Sequence, residues 1–387
     1  MKVLVVGVST RAIAESAARA GFAVTAIDAF ADADQHSSVD AESLGDGFSP
    51  AAAAHRAQTI ACDAVAYGAN FENDPAAIAV LARERTLWGN TPEVIGRVRD
   101  PRLLSEALQR RGLAATAVWP PATDHRSRQS PIPNPQSPPR WLLKRYASGG
   151  GQGVREWRGG KRLPNGAYLQ EFVDGAPGSI VFVCASGRVV PIGLTRQLVG
   201  DQSFGVSGYR YCGNILTAAG EDDQVLDVAG AVADVVCREF GLIGVNGIDL
   251  IVADNIPYAI EVNPRWCASM ELVERAYGLS VFGMHASACR DGVLPDFDLA
   301  KARGSAQAIG KAVVFARDAA TIGDTASWLA KGEPHMHEIR DVPRSGTRIR
   351  PGHPICTVFA TGRDSRECRQ ELVSRAERVY AAVAAML

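Results

Sequence analysis

Residues 245–265, VNGIDLIVADNIPYAIEVNPR, constrain the fold of this chain more than any other segment. Two apolar runs, GIDLIV and YAIEVN, flank a polar turn at Asn255, and this pattern predicts a β-hairpin. Side chains alternate between the two faces of a strand, so Glu261 and Asn263 lie on the same face. If the hairpin is centred near Asn255, Asp249 lies opposite Glu261, close enough for cross-strand contact.

The hairpin therefore predicts two carboxylates and an amide oxygen that converge on one point, with the guanidinium of Arg265 two residues further on. Packing gives no reason to place such groups on apolar strands, because like charges repel and buried charges are costly. A divalent cation removes this conflict. Oxygen donors suit Mg²⁺, which proteins hold through a few carboxylates together with substrate phosphates. The alternative is a charged rim with solvated carboxylates.

Length and composition exclude several classes of protein. The chain has 387 residues, enough for two or three domains, and 47% hydrophobic with 21% charged residues is ordinary for a soluble globular protein. The formal net charge of −1 gives no electrostatic reason to expect nucleic acid or an anionic membrane as a partner. No apolar run is long enough to span a bilayer, the N-terminus opens into a strand–helix pattern, and the eight cysteines form no CxxC pair. We therefore expect a cytoplasmic protein.

Residues 1–95 alternate between strand and helix patterns, which predicts a Rossmann-like domain with a parallel sheet. Gly7, Ser9 and Ala12 stand where a dinucleotide fingerprint has three glycines, and Asp28 follows about 20 residues later. The serine replaces the glycine that lets the backbone approach a pyrophosphate. A structural role, or a substrate contact at the helix N-terminus, is therefore favoured over dinucleotide binding.

Residues 96–300 form the predicted central domain, and residues 301–387 a small C-terminal α+β domain. Within the central domain, residues 120–140 contain seven prolines and almost no large apolar residue. Such a stretch buries too little surface to order itself, and we predict a flexible insertion. In the C-terminal domain, His335 and His337 could bind a metal if they lay on a strand, although isolated surface histidines are far commoner.

A lysine strand and a glycine-rich loop mark a second chemical segment. Lys144 lies in the strand pattern WLLKRY, which is followed by Gly149, Gly150, Gly151 and Gly153. Consecutive glycines let backbone N–H groups fold over anionic oxygens, and a nearby lysine supplies positive charge. A glycine-rich turn without a ligand is the alternative.

Two further strands carry candidate contacts to the same ligand. The stretch AYLQEFVDG ends in a polar link from Gln170 to Val173, and an extended backbone of this kind could pair with a purine edge. Arg196 and Gln197 fall at the end of a later strand, where they could reach the same cleft or lie on the surface.

Taken together, these motifs resemble the ATP-grasp superfamily. The resemblance covers most of the chain: a Rossmann-like N-terminal domain, a lysine strand with a glycine-rich loop (KRYASGGGQGV), a hinge (LQEFVDG) and a hairpin that ends in EVNPR. The C-terminal stretch RDVPRSGTRIRPGHPICTVFATG is similar to the small β domain that closes some members, biotin carboxylases among them. The resemblance implies an α/β and α+β protein with the ATP-grasp fold and a small β-rich C-terminal domain.

The resemblance also implies roles for the motif residues. Lys144 would contact ATP phosphate or adenine, and residues 141–173 would include a glycine-rich lid over the phosphates. Adenine would lie against the hinge residues Gln170, Glu171, Phe172 and Val173. Two Mg²⁺ ions, replaceable by Mn²⁺, would be held by Asp249, Glu261 and Asn263. Arg265 would stabilise the transferred phosphoryl group, with Arg196 as a second catalytic candidate.

Two positions depart from the family pattern. Many members carry an Asp-Lys pair after the N-terminal domain, and its lysine touches ATP. Here the string is DPR at residues 100–102, which makes Arg102 the candidate replacement. The hinge is commonly followed by a glutamate that binds ribose, whereas GAPG stands at residues 175–178 and leaves Asp174 or a water for that role.

The chemistry that this resemblance implies is ATP-dependent ligation of a small-molecule carboxylate to an amine. The carboxylate attacks the γ-phosphate, an acyl phosphate forms, and the amine displaces phosphate to give an amide. No side-chain nucleophile is needed, and Cys267 near the hairpin is better explained as a buried thiol. We expect no nucleic-acid or membrane partner, and a homodimer is a possible assembly.

Three short phrases, TRAIAESAARAG, AIDAFADADQ and TRQLVGDQSFG, resemble ligases that build small cofactors, among them the tyramine–glutamate ligase of methanofuran synthesis. A biotin-carboxylase-like or purine-pathway ATP-grasp enzyme is an alternative. Two further alternatives are a dinucleotide-dependent protein that uses residues 7–28 and a nucleotide-binding protein without catalysis.

Overall fold

The computed structural model describes residues 1–120, 133–134, 138–160, 162–304, 306–329 and 338–386. Most of the predicted flexible insertion at residues 120–140 lies outside the described residues, and so do His335 and His337. Those predictions therefore stay predictions. None of the helices in the described ranges is both long and apolar enough to cross a membrane.

The N-terminal residues form a parallel α/β sheet, as the strand–helix alternation predicts. Its strands are β1 (Lys2–Val6), β2 (Ala23–Asp28), β3 (Val39–Ser43), β4 (Ala64–Tyr67) and β5 (Thr86–Trp88), hydrogen-bonded in the order β3-β2-β1-β4-β5. Alternate side chains of β1 pack into two separate hydrophobic clusters, so both faces of the sheet are covered. Burial on both faces explains why these strands are apolar without alternation.

The α-helices in residues 1–120 are α1 (Arg11–Arg19), α2 (Pro50–Ala57), α3 (Pro75–Leu81), α4 (Pro92–Val98) and α5 (Pro101–Gln109), and the buried residues of α5 pack with α6 (Asp223–Phe240) and the central antiparallel sheet. Helices α2 to α5 all begin with proline. Proline has no backbone N–H, and this costs nothing in the first turn of a helix, where the N–H groups have no partner within the helix. The side chain of the residue before each proline caps the helix by accepting a hydrogen bond from a backbone N–H of the first turn. These capping residues are Ser49, Asp74, Thr91 and Asp100. The sequence thus fixes where each of these helices starts.

A small antiparallel sheet follows. Its strands are β6 (Val118–Trp119), β7 (Trp141–Arg145), β8 (Arg155–Glu156) and β9 (Ala167–Glu171), in the order β6-β9-β7-β8. Lys144 lies on β7 and Gln170 on the neighbouring β9. The glycine-rich loop connects β7 to β8.

A larger antiparallel sheet forms the centre of the molecule. In chain order its strands are β10 (Ala176–Ala185), β11 (Arg188–Val199), β12 (Tyr211–Leu216), β13 (Gly244–Ala253), β14 (Ile256–Asn263), β15 (Ala308–Phe315), β17 (Ile339–Arg340) and β19 (Pro354–Gly362). They pair in the order β14-β13-β10-β11-β12-β15-β19-β17. A separate pair is formed by β16 (Ala320–Thr321) and β18 (Arg348–Ile349).

The helices of this part are α6 (Asp223–Phe240), α7 (Met270–Tyr277), α8 (Val281–Asp291), α9 (Leu299–Arg303) and α10 (Ser365–Ala384). Buried residues recur along α6 at helical spacing and pack against β10 and β11. On the opposite face of the sheet, α7 and α8 share a second hydrophobic cluster with the N-terminal domain. The central sheet is therefore buried on both sides.

The C-terminal strands β15, β19 and β17 follow β12 in the order of the central sheet. β15 pairs with β12 through four residue pairs, beginning with Gly213 opposite Ala312, so the C-terminal residues extend the central sheet. This pairing covers the edge of β12, which would otherwise expose unpaired backbone groups. α10 and β19 add their own hydrophobic cluster beneath the extension. Strand patterns indicate which residues are strands, but not which edge they join.

Candidate active site

A cleft of about 460 Å³ lies between the two antiparallel sheets and the N-terminal domain. Its walls include the glycine-rich loop, the hinge, the β13–β14 hairpin, strands β10 to β12, and residues that border β1, β4 and β19. The motifs that the sequence analysis identifies separately therefore face one common space.

The β13–β14 hairpin has the predicted register. Asp249 is the cross-strand partner of Glu261, and a bulge follows this pair. The turn residues Asp254 and Asn255 have φ values of 50° and 62°, a left-handed conformation that Asp and Asn tolerate and that two-residue hairpin turns require. The position of this turn sets the register and so brings the two carboxylates together.

Asp249 is held by two side-chain amides. It accepts hydrogen bonds from Gln197 Nε2 at 2.8 Å and Asn263 Nδ2 at 3.1 Å. Burial, together with the neighbouring charge of Glu261, raises the pKa of Asp249 to about 6. Burial and the neighbouring carboxylate therefore make ionisation of Asp249 unfavourable in this geometry.

Glu261 is paired with Arg99, a residue that the sequence analysis misses. Arg99 directly follows α4, and its guanidinium also donates to Asn73 Oδ1 at 3.2 Å and to the carbonyl of Ser148 at 2.9 Å. Burial alone would raise the pKa of Glu261, but Arg99 and Lys144 outweigh it and lower that pKa. Arg99 thus connects the N-terminal domain, the start of the glycine-rich loop and the hairpin. No local motif marks it, because its partner is 162 residues away.

Arg265 is fixed by a second residue that sequence reasoning misses. Its Nε and Nη2 atoms donate to Glu72 Oε1 at 3.0 and 2.5 Å, and Nη2 also donates to Asn263 Oδ1 at 3.1 Å. Burial would raise the pKa of Glu72, but Arg265 lowers it, so both groups are charged. The N-terminal domain therefore orients the arginine beside the hairpin.

The side chains of Lys144 and Gln170 are hydrogen-bonded to each other. Lys144 Nζ donates to Gln170 Oε1 at 2.8 Å, and Gln170 Nε2 donates to Thr116 Oγ1 at 3.0 Å and to the carbonyl of Ile260 at 3.2 Å. Burial lowers the pKa of Lys144, and the charges of Glu261 and Asp249 partly offset this effect. A buried ammonium with a single amide oxygen as acceptor is well placed to bind an anionic ligand.

The glycine-rich loop rests on the central sheet. Gly150 and Gly151 have φ values of 61° and 70°, and the carbonyl of Gly150 accepts a hydrogen bond from the N–H of Tyr211 at 3.1 Å. A Cβ atom on Gly151 would lie 1.8 Å from the carbonyl oxygen of Tyr209, so only glycine fits this contact. Gly149, Gly150 and Gly151 line the cleft, whereas Gly153 does not.

The hinge residues Gln170, Glu171, Phe172 and Val173 all line the cleft. The N–H groups of Glu171 and Phe172 already donate to backbone carbonyls, whereas no described residue accepts a hydrogen bond from the N–H of Val173. Apolar side chains complete this end of the cleft: Leu142, Val154, Ile251 and Ile260. A flat ring system could stack between such side chains while its edge meets the hinge backbone.

Three predicted site residues do not line the cleft: Gly153, Arg196 and Arg102. Arg196 does not line the cleft, because its guanidinium pairs with Asp222 at 2.8 Å and with Glu221 at 3.3 Å. Strand alternation accounts for this, since the adjacent Gln197 faces Asp249. Arg102 is bound to Asp100, the cap of its own helix, at 2.5 Å, and it does not line the cleft either. Arg99 is the arginine of this segment that reaches the hairpin.

The dinucleotide-like segment has a structural role. The carboxylate of Asp28 accepts hydrogen bonds from the N–H and hydroxyl of Thr10 at 3.1 and 2.8 Å, and from the N–H groups of Phe30 and Ala31. It therefore holds the turn after β1 against the end of β2, and it is 1% exposed. Ser9, by contrast, lines the cleft, as the alternative of a substrate contact anticipates.

Comparison with known proteins relates this architecture to a family. Residues 106–269 match the family model of an ATP-grasp domain. An uncharacterized protein of Methanocaldococcus jannaschii is 27% identical over 150 residues, which are 39% of this chain and 33% of that protein. The match thus spans about a third of the length of this relative.

Several solved structures resemble the whole chain. L-amino acid ligase from Bacillus licheniformis is 16% identical over 98% of this chain and 97% of that chain, with a TM-score of 0.68. N5-carboxyaminoimidazole ribonucleotide synthetase from Thermotoga maritima is 14% identical over 97% of this chain and 98% of that chain, with a TM-score of 0.66. The biotin carboxylase domain of 2-oxoglutarate carboxylase from Hydrogenobacter thermophilus, solved with MgADP and bicarbonate, is 16% identical over 97% of this chain and 88% of that chain, with a TM-score of 0.71. At these identities the likeness is one of fold.

Proposed function

We propose that this chain, which contains an ATP-grasp domain within an ATP-grasp fold, is an ATP-dependent carboxylate–amine ligase. One observation carries the proposal. The hairpin carboxylates, Lys144, Arg265 and the glycine-rich loop line a single cleft, as a phosphoryl-transfer site requires. ATP would bind with adenine at the hinge and its phosphates between the glycine-rich loop and the hairpin.

The donor set of the hairpin fits Mg²⁺. Asp249, Glu261 and Asn263 offer hard oxygen donors, and the raised pKa of Asp249, caused by burial and by Glu261, is what a nearby cation would relieve. Within the described ranges, no group of three or more His, Cys, Asp or Glu side chains could hold a metal alone. A cation here would therefore share its ligands between the protein and substrate phosphates, as Mg²⁺ does. When bound, it would supply charge neutralisation of those phosphates.

The chain's own residues would stabilise the first step. A carboxylate oxygen of the substrate attacks the γ-phosphorus of ATP, the bond to the β–γ bridging oxygen breaks, and ADP leaves. Negative charge develops on the transferred group, where Arg265, Lys144 and the N–H groups of the loop would offset it. Glu72 and Arg99 would act as positioning residues, because one orients Arg265 and the other holds Glu261.

The second step needs no covalent intermediate with the protein. The amine, after its ammonium form has lost a proton to solvent, attacks the acyl carbon. The bond from that carbon to the phosphate oxygen breaks, and the nitrogen passes a second proton to the departing phosphate as the amide forms. Burial, reinforced by the charges of Asp249 and Glu72, raises the pKa of Cys267 to about 12 despite the nearby Arg265. The thiol therefore stays protonated near neutral pH and is a poor nucleophile.

We infer that the product is a small molecule or cofactor precursor, formed in the cytoplasm. Of the three phrases that resemble cofactor-building ligases, TRAIAESAARAG and TRQLVGDQSFG include residues that line the cleft. A phosphate-release screen of carboxylic acids paired with amines, in ATP and Mg²⁺, tests the proposal. Bicarbonate without amine forms a separate arm, which would identify the biotin-carboxylase-like alternative. ATP binding without phosphate release in any arm would identify a non-catalytic nucleotide-binding protein.

A further inference from the structure

The cleft continues past the hairpin into a second region that we call the distal compartment, lined by Ser9, Arg11, Ser269, Lys311, Asp341 and Thr357. These residues come from the N-terminal domain, the start of α7 and the C-terminal strands. The distal compartment belongs to the same cavity as Asn263 and Arg265. A substrate that reacts beside Arg265 would extend into it.

A buried network of ion pairs lies behind this compartment. Its members are the cations Arg11, Arg19, Arg275, Lys311 and Arg340 and the anions Glu15, Asp34, Glu271, Glu274 and Asp341. The formal charges balance. Because every member pairs with an oppositely charged member, the network as a whole presents no net charge to a ligand, and local exposure decides which charge a ligand meets.

Three members of the network reach the cleft, and they differ sharply in exposure. The side chain of Arg11 is 1% exposed and that of Lys311 is 6% exposed, whereas that of Asp341 is 25% exposed. Lys311 Nζ donates to Glu271 at 2.6 Å and Arg11 Nε donates to Asp341 at 2.6 Å, so all three groups are paired, and exposure alone distinguishes them. The group that a ligand in the distal compartment meets first is therefore a carboxylate.

Asp341 has acceptor capacity left over. Its Oδ1 accepts from Arg11 Nε at 2.6 Å and its Oδ2 from Thr357 Oγ1 at 2.5 Å, and each carboxylate oxygen has a second lone pair. Burial would raise the pKa of Asp341, but Arg11 and Lys311 outweigh it and lower that pKa, so the group is charged at neutral pH. Its φ of 55° lies in the left-handed region, which Asp and Asn tolerate better than most residues.

We propose that Asp341 binds the ammonium group of the amine substrate, and that this substrate is a primary amine that carries a positive charge when it enters the cleft. The inference rests on the proposed ligase function, because it assigns the second substrate of that reaction. An anionic group in the same place would face the more exposed carboxylate, while the cations Arg11 and Lys311 are almost fully buried. Lys311 offers the opposite assignment, an anion subsite, and the experiment below separates the two.

Equilibrium binding tests the subsite without turnover. The probes are n-butylamine, n-butyrate and n-butanol, titrated into the wild-type protein with ADP and Mg²⁺. The variant is Asp341→Asn, because asparagine keeps the shape and tolerates the left-handed conformation. Asp254→Asn is the matched control, since Asp254 also has a positive φ, 50°, but lies exposed at the hairpin turn.

The wild-type protein should prefer butylamine to butyrate and butanol. Asp341→Asn should weaken butylamine binding by about tenfold, the scale of one charge-assisted hydrogen bond, while leaving butanol binding and ADP binding unchanged. Asp254→Asn should behave as the wild type. A preference for butyrate, no binding of butylamine by the wild type, or equal loss of butylamine and butanol in Asp341→Asn would each overturn the subsite.

Phosphate release then separates this inference from the ligase proposal. If no carboxylate–amine pair releases phosphate but Asp341→Asn loses butylamine selectively, the ammonium subsite stands and the ligase proposal fails. If phosphate is released and Asp341→Asn raises the KM for ATP or for the carboxylate but not for the amine, the ligase stands and the subsite fails. Both stand if the KM for the amine alone rises.

Discussion

Replacing Asp249 with asparagine should make the protein more stable in the absence of metal while it destroys the active site. Asp249 is buried beside Glu261, and these two features raise its pKa from the ordinary 3.8 to about 6. The ionised side chain is therefore unfavourable in the folded protein at neutral pH. An amide in its place carries no charge and keeps the same shape, so Asp249→Asn removes the repulsion.

The magnitude follows from the pKa. A rise from 3.8 to about 6 costs the folded state about 3 kcal/mol at pH 7, at about 1.36 kcal/mol per pKa unit. The new amide must also re-form its bonds with Gln197 and Asn263, and one of those partners has to rotate, which offsets about 1 kcal/mol. We expect Asp249→Asn to raise the free energy of unfolding by about 1–2 kcal/mol.

The sign of the stability difference between the wild type and Asp249→Asn can be checked by its dependence on pH. The carboxyl group is protonated in both states below about pH 4, so the two proteins differ little there. Because the folded pKa is the higher one, the wild type loses stability relative to Asp249→Asn between about pH 4 and pH 6, and the difference is constant above that range. Urea denaturation in EDTA at intervals from pH 4 to pH 8 measures this difference. Addition of ADP and Mg²⁺ should stabilise the wild type more than the variant, which has lost one proposed ligand of the cation but keeps the hinge, Lys144 and the glycine-rich loop.

Two results would refute this reasoning. One is that Asp249→Asn is less stable than the wild type at pH 7 in EDTA, which would mean that the carboxylate stabilises the fold. The other is a stability difference that does not change between pH 4 and pH 8. Gln197→Leu serves as a control of opposite sign: it removes a hydrogen bond that lowers the pKa of Asp249, so it should destabilise the protein, and more at pH 7 than at pH 4.

Further substitutions test the other walls of the cleft. Glu261→Gln should fold and bind ATP, but its turnover should fall on the order of a hundredfold or more, as measured by phosphate release. Arg99→Gln should destabilise the protein by about 1–3 kcal/mol in urea denaturation, since Glu261 would lose the cation that most lowers its pKa and the hydrogen bond that Arg99 donates. Gly151→Ala should weaken ATP binding in calorimetry because its Cβ would collide with a backbone carbonyl, whereas the matched Gly153→Ala, with nothing within 4 Å, should bind nearly as the wild type. Lys144→Ala should chiefly raise the Kd for ATP.

The hairpin shows how far sequence alone can go. Strand alternation and the Asp254–Asn255 turn together define which side chains face each other, so the pairing of Asp249 with Glu261 follows from local rules. The same holds for the helix starts, where a capping residue and a proline are adjacent in the chain. These features depend on neighbours within a few residues.

The missed residues depend on distant contacts. Arg99 and Glu72 lie in segments without any motif, and they reach the site only because the N-terminal domain packs beside the hairpin. Arg196 shows that even a local rule fails when the position is wrong by one residue. Neighbouring side chains on a strand point to opposite faces, so Gln197 faces the cleft and Arg196 faces away from it. Asp341 could not be connected with Arg11 from sequence, because 330 residues separate them.

The most direct test of an acyl phosphate intermediate is to follow whether an oxygen atom of the substrate carboxylate is transferred to the released phosphate. A substrate pair that supports phosphate release should be assayed with the carboxylate labelled with ¹⁸O, and the phosphate analysed by mass spectrometry. Attack of the carboxylate on the γ-phosphate predicts that one ¹⁸O atom appears in each phosphate released, together with ADP, and that Glu261→Gln forms neither product at an appreciable rate. Phosphate without ¹⁸O, or AMP with pyrophosphate in place of ADP, would contradict an acyl phosphate intermediate in this cleft.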